Sequence, residues 1–219
     1  MDVKICGITI PEQAVAIAHL GADYLGYICV ESSPRFVTSQ QVEIITSATQ
    51  NYDINHVGVF LDAEIEYIST YSGKLNAVQL HGHESIEFCQ KIRSEFAEIK
   101  LIKAFRVKNS QSIDQAILYS QYVDVLLLDA YDPKIAGGTG KTIDWEILKN
   151  FRPSCQWWLA GGLSEQNVKV AIAQLQPDGI DVSSGVEKAP GDKDINQVRN
   201  LLALAKSVIN FDKSTVNYE

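Results

Sequence analysis

Several side chains in this sequence have the type and spacing for proton transfer. Cys6 stands two residues after Lys4 in Lys4-Ile5-Cys6-Gly7, so on an extended strand the two share a face. If that face points into a core, a buried ammonium lies near the thiol and favours thiolate. The competing reading is the small buried apolar residue that cysteine usually is. Asp129 follows Val125-Leu126-Leu127-Leu128, which puts a carboxyl at the mouth of an apolar strand. Burial there would raise its pKa toward use as a general acid; the alternative is a helix cap or a structural salt bridge. His81-Gly82-His83 offers two imidazoles, but Gly82 marks a turn and no third ligand stands at a suggestive spacing. His81 therefore reads as a structural or substrate-contacting residue, and no metal is expected.

Two further segments suit an anion. Gly161-Gly162-Leu163-Ser164 leads into a helical pattern, and Ser183-Ser184-Gly185-Val186 closes an apolar stretch. Glycine lets the backbone approach phosphate oxygens, while serine hydroxyls and N–H groups donate to them. Ordinary turn chemistry is the rival for either segment alone. Gly137-Gly138-Thr139-Gly140-Lys141-Thr142 resembles a nucleotide-binding P-loop, but the first glycine of that motif would fall at Ile135. The segment reads instead as a glycine-rich lid, within a long active-site loop from Tyr131 to Trp145.

Eight β-rich segments must position these groups: Val3–Gly7, Tyr24–Val30, His56–Leu61, Ala77–His81, Lys100–Arg106, Val123–Asp129, Gln156–Ala160 and Gly179–Ser183. Between them, Glu12–Leu20, Ser39–Thr49, Ser85–Glu95 and Glu165–Leu175 place apolar residues at helical spacing. Thr9, Thr38 and Ser164 each stand where a helix cap is wanted. Strict alternation of strand and helix predicts a parallel sheet with right-handed crossovers. Eight such units predict closure into an α/β fold of the (β/α)8 (TIM) barrel type, with helices outside. Chemistry in these barrels sits at the C-terminal ends of the strands, and phosphate often lies beyond strands seven and eight. Cys6, His81, Asp129, Gly161, Gly162 and Ser183 to Gly185 all fall at such ends. If Lys4 points inward it needs a counter-charge. Strand eight neighbours strand one in a closed barrel, so Asp181 is expected to pair with Lys4 beneath the thiol. Trp157 and Trp158 fall on opposite faces of their strand and read as core.

The 219 residues are close to the length of one such barrel, and 46% hydrophobic residues suffice for one sizeable core. A single domain over 1–210 is expected, with a polar tail over 211–219. With 27 acidic against 19 basic residues, net charge −8, the chain is repelled by polyanions, and nucleic acid is not an expected partner. A single phosphate is not excluded, because backbone donors hold it without net charge. The four cysteines are scattered, without a C-x-x-C pair, which argues against structural zinc or a disulfide framework. No signal-like start or membrane-length apolar run is read, so no membrane partner is expected and the expected compartment is the cytoplasm.

Taken in order, Lys4-Ile5-Cys6-Gly7-Ile8-Thr9, Ser33-Pro34-Arg35-Phe36, Val57-Gly58-Val59-Phe60, Val78-Gln79-Leu80-His81-Gly82, Leu128-Asp129-Ala130, Gly137-Gly138-Thr139-Gly140, Ala160-Gly161-Gly162-Leu163 and Asp181-Val182-Ser183-Ser184-Gly185-Val186-Glu187 resemble the phosphoribosylanthranilate isomerases. The likeness runs from the first strand to the last. It implies an Amadori rearrangement of N-(5-phosphoribosyl)anthranilate in tryptophan biosynthesis, an aldose–ketose isomerisation needing no cofactor or metal. By the same resemblance Asp129 is the acid for the ring oxygen, Cys6 the base for the C2 proton, and Arg35 the partner of the anthranilate carboxylate. The guanidinium suits that task by its paired donors. His81, Gly161, Gly162, Asp181, Ser183, Ser184 and Gly185 complete the expected contacts to a phosphorylated small-molecule substrate, in a monomer or homodimer. The family often carries aromatics before its Ser-Pro-Arg, whereas this chain has Gly26-Tyr27-Ile28-Cys29-Val30. That departure bears on the packing beneath the anthranilate ring. The related histidine-pathway isomerases use two aspartates, and Cys6 at the first position argues against that reading. Retention of Cys6, Asp129 and Arg35 argues against an inactive sugar-phosphate binder.

Overall fold

A computed structural model describes residues 1–129 and 145–215 of the chain. Eight strands, β1 (Asp2–Cys6), β2 (Tyr24–Ile28), β3 (Asn55–Phe60), β4 (Ala77–Leu80), β5 (Lys100–Arg106), β6 (Val125–Asp129), β7 (Gln156–Ala160) and β8 (Gly179–Val182), close into one parallel barrel. Around it lie α1 (Pro11–His19), α2 (Ser39–Ala48), α3 (Ile65–Ser69), α4 (Ile86–Glu95), α5 (Ser110–Leu118), α6 (Val168–Leu175) and α7 (Ile195–Thr215). The last helix continues past position 210, where a polar tail is expected to begin. A short antiparallel hairpin, β9 (Glu187–Ala189) with β10 (Asp192–Lys193), follows β8.

Parallel strands covered on both faces are apolar throughout rather than alternating, and β4 and β8 are buried at every position. Alternation still decides which residues fill the barrel. Tyr24, Val57, Ala77, Ile102, Val125, Leu127 and Trp158 pack as an inner cluster, while Trp157 faces the helices and meets Phe151 edge-on. The two tryptophans are core on opposite faces, as their spacing predicts.

The bottom of the barrel carries one device four times. Asp23, Asn76, Asp124 and Asp178 precede β2, β4, β6 and β8, and each binds the strand before it twice. Their side chains accept from the N–H groups of Val3, His56, Leu101 and Trp157 at 2.8, 2.9, 2.7 and 2.9 Å. Their own N–H groups donate to the carbonyls of those same residues. Strand starts that would otherwise leave backbone groups unpaired are thereby satisfied.

Among the helices, Thr38 caps α2 as expected. Its hydroxyl accepts from the Gln41 N–H and the Gln41 amide oxygen accepts from the Thr38 N–H, a reciprocal capping box. Thr9 does not cap α1. That helix opens on Pro11, which needs no partner for an N–H it lacks, and the Thr9 hydroxyl donates instead to the Gly191 carbonyl at 2.6 Å. Ser164 likewise lies short of α6: the turn from Ser164 to Asn167 is closed by the Asn167 side chain, and the helix begins at Val168.

Five strands end one or two residues before their β-rich segments do, at Cys6, Ile28, Phe60, Leu80 and Val182. The chain turns over the barrel mouth at those points, so the residues just beyond them rim a cavity.

Candidate active site

Every site residue expected from the sequence, Cys6 and Asp129 among them, lines one cavity of about 290 Å³ at the C-terminal mouth. Its floor is the Lys4–Asp181 pair. The two are register partners on β1 and β8, both inside the barrel, with Nζ 2.9 Å from Oδ2. Lys4 is fully buried, and Asp181 Oδ1 has no hydrogen-bond partner among the described residues. Burial opposes the Lys4 charge, but Asp181 and then Cys6 outweigh it, and the ammonium's pKa stands above its ordinary value. Cys6 sits one pleat above. A Cβ on Gly26, its register partner, would lie 2.7 Å from Sγ and 2.9 Å from Lys4 Cε, so only glycine leaves room there. Burial pushes the Cys6 thiol up, and Lys4 pulls it down without cancelling that effect. Lys4 favours thiolate as expected, but desolvation in a closed barrel is the larger influence and the net shift is upward.

The opposite wall joins β4 to β6. Gln79, 1% exposed, brings its amide nitrogen to 3.0 Å from His81 Nδ1. With the amide in this orientation Nδ1 is the acceptor, so the ring's hydrogen is on Nε2, and Nε2 faces Asp129 Oδ2 at 3.8 Å. Burial draws the His81 pKa to about 4, so the ring is neutral near pH 7. The Asp129 side chain is 24% exposed, half-buried at the end of its strand. Gln79 lies inward with Ala77 on β4, a signal present in the alternation but overshadowed by the neighbouring histidines. His83 is separated from His81: it is 96% exposed and bound to Asp62. Among the described residues no group of three His, Cys, Asp or Glu could hold a metal ion.

At the rim, Arg35 follows β2 and is held by a residue that no sequence motif singles out for the task. Glu187 on β9 accepts from Arg35 Nε at 2.9 and 3.1 Å and from Nη2 at 2.6 Å. Lys193 on β10, fully buried, donates to the same carboxylate at 2.8 Å and to the Ser183 carbonyl at 3.2 Å. The Pro190-Gly191-Asp192 turn between two short segments is the signal that would have revealed this hairpin.

The loops after β7 and β8 form the remaining side. Gly161 and Gly162 have φ of +94° and +63°, in the region glycine enters without strain. Gly185 presses so closely on the Leu163 carbonyl that a Cβ there would overlap it. The two loops are thus in direct contact, with Ser183 and Ser184 beside the paired glycines at the cavity. Ala130, the glycine-rich segment 137–142 and most of the expected lid lie outside the described residues.

A cavity of this make-up, a thiol over a buried ion pair facing a carboxylate–imidazole wall, with glycine–serine loops between, suits proton transfer on a small anionic ligand. Comparison with known proteins shows the family. Residues 3–203 match the family model described as N-(5'phosphoribosyl)anthranilate (PRA) isomerase. An N-(5'-phosphoribosyl)anthranilate isomerase of Trichormus variabilis is 50% identical over 200 residues, covering 90% of this chain and 95% of that one. The crystal structure of phosphoribosyl anthranilate isomerase from Thermotoga maritima superposes with a TM-score of 0.84 at 37% identity, covering 94% of this chain and 99% of that one. A structure of the same enzyme type in complex with reduced 1-(o-carboxyphenylamino)-1-deoxyribulose 5-phosphate gives 0.81 at 34% identity and the same coverage. The chain belongs to the N-(5'-phosphoribosyl)anthranilate isomerase family.

Proposed function

We propose that this chain isomerises N-(5'-phosphoribosyl)anthranilate to 1-(2-carboxyphenylamino)-1-deoxyribulose 5-phosphate by general acid–base catalysis. The observation that carries the reading is the meeting of Cys6, Asp129 and the β7 and β8 loops at one cavity. Asp129 gives its proton to the furanose ring oxygen as the C1'–O bond breaks, and the anthranilate nitrogen's lone pair forms the C=N bond. Cys6, as thiolate, takes the proton from C2', and those electrons form the C1'=C2' bond and neutralise the iminium. The enolamine then gains a proton at C1' while the C2' hydroxyl becomes the ketone. C1' is reduced and C2' oxidised within one molecule, so the reaction is an intramolecular oxidoreduction.

The surroundings of each group suit its role. The neutral His81 ring, with Nε2 3.8 Å from Asp129 Oδ2, lies beside the carboxylate that Asp129 becomes. Burial leaves little of Cys6 ionised at neutral pH but makes the thiolate a stronger base, and Lys4 keeps the ionised form within reach. Arg35 receives the anthranilate carboxylate, the glycine–serine loops the phosphate, and Asp181 Oδ1 is an open acceptor for a substrate hydroxyl. The setting we infer is cytoplasmic, with the chain working as a monomer or homodimer; among the described residues no helix is long and apolar enough to cross a membrane. The test is direct. Purified protein should quench the fluorescence of N-(5'-phosphoribosyl)anthranilate at a rate proportional to protein concentration, and absence of turnover would contradict the proposal.

A further inference from the structure

Glu187 takes no part in the mechanism above, yet its side chain is only 4% exposed at the rim of the cavity. It receives Arg35 through Nε and Nη2, Lys193 through Nζ, and the Gly191 N–H at 3.2 Å. Burial alone would raise its pKa; Arg35 and Lys193 hold it down to about 2. A guanidinium has two edges that can each grip a planar anion, one made by Nε and an Nη, the other by the two Nη groups. Glu187 takes the first. The second, Nη1 with the remaining hydrogen of Nη2, is left for another carboxylate. Charge agrees: two cations against one carboxylate leave the cluster net positive. Lys193 also binds the Ser183 carbonyl, so the same anchor ties the rim to the loop after β8.

We propose that Glu187, anchored by Lys193 and the Gly191 N–H, is a positioning residue that fixes Arg35 by its side-on edge so that the end-on edge meets the anthranilate carboxylate. The proposal rests on the reading of Arg35 as that carboxylate's partner. Arginine is long and rich in rotamers, and holding it in place before the ligand arrives removes an ordering cost from binding.

Glu187→Gln is a poor probe, because loosening Arg35 and deleting a negative charge act on carboxylate affinity in opposite directions. Glu187→Asp keeps the charge but is shorter by one carbon–carbon bond, about 1.5 Å, enough to break the side-on pair while the carboxylate stays with Lys193. Two probes are titrated: reduced 1-(o-carboxyphenylamino)-1-deoxyribulose 5-phosphate and the same compound lacking the carboxyl group. Glu187→Asp should weaken the carboxylated probe about three- to tenfold, the worth of ordering one such side chain, and leave the other unchanged. Equal weakening of both, the mark of a merely structural role, overturns the proposal, and so does no change in either. Arg35→Leu in the same titration separates the two readings. If it fails to weaken the carboxylated probe selectively, the Arg35 reading falls and the proposal with it; if it does so and Glu187→Asp does not, only the proposal falls. A crystal structure of the unaltered protein with the carboxylated probe tests the same point without a variant. The carboxylate should sit on Nη1 and Nη2 with the Glu187 pair intact, and a carboxylate on the Nε edge with Glu187 displaced overturns it.

Discussion

Lys4 has its ammonium fully buried inside the barrel, which is tolerable only because Asp181 lies 2.9 Å away. Breaking such a pair from one side strands the other charge, at a cost of about 3–5 kcal/mol. Lys4→Met should therefore destabilise the protein by roughly that amount in urea unfolding, and Lys4→Met with Asp181→Asn should recover much of it. The single variant also removes the cation that lowers the Cys6 pKa, leaving burial and Asp181 both raising it. The limb on which kcat/KM rises with pH, as the thiol ionises, should then move to higher pH. An unmoved limb means that Cys6 is not the group titrating there. This pair is legible in the amino-acid sequence, because strand period places Lys4 on the face of Cys6 and barrel closure places β8 beside β1. The roles of Glu187 and Lys193 are not. Their partner Arg35 is 152 residues from Glu187 along the chain, and nothing local in either segment announces the meeting.

The strands are readable from their apolar runs, as are the C-terminal ends of β5, β6 and β7, but the other five C-terminal ends are not. Residues such as His81, Ser183 and Gly7 continue a β-rich pattern while the chain is already leaving the barrel to form the site. Gly7, at φ +80°, could not extend a strand. One cap position fails for a related reason while Thr38 holds: Thr9 looks like a cap, yet a distant carbonyl at Gly191 claims its hydroxyl. Contact between the β7 and β8 loops makes its own prediction. Because a Cβ at Gly185 would overlap the Leu163 carbonyl, Gly185→Ala must push the two loops apart. Inorganic phosphate should then inhibit the variant at least about tenfold more weakly, in line with loss of one or two charge-assisted hydrogen bonds. Inhibition equal to that of the parent would mean that phosphate is held elsewhere.

For the molecule as a whole, the burial of two imidazoles, His56 and His81, should show in its acid stability. Burial lowers His56 and His81 from 6.5 to about 4. Between those values the unfolded chain binds protons that the native state refuses, so stability is full above pH 6.5 and falls as pH drops toward 4. Glu187, at about 2 against 4.5, adds a further loss below pH 4.5. The urea midpoint should be lower at about pH 5 than at about pH 7.5, and a midpoint constant over that range contradicts the burial of these imidazoles in the native state. Barrel closure brings Cys6 of β1 and Asp129 of β6, far apart in the chain, to one cavity, where we propose they act as base and acid. That union is tested most directly by Asp129→Asn, whose amide is nearly isosteric but has no proton to give the ring oxygen. With the fold intact by circular dichroism, turnover of N-(5'-phosphoribosyl)anthranilate should fall by roughly 10²–10⁴-fold, whereas a kcat close to that of the parent would contradict the assignment of Asp129 as the acid.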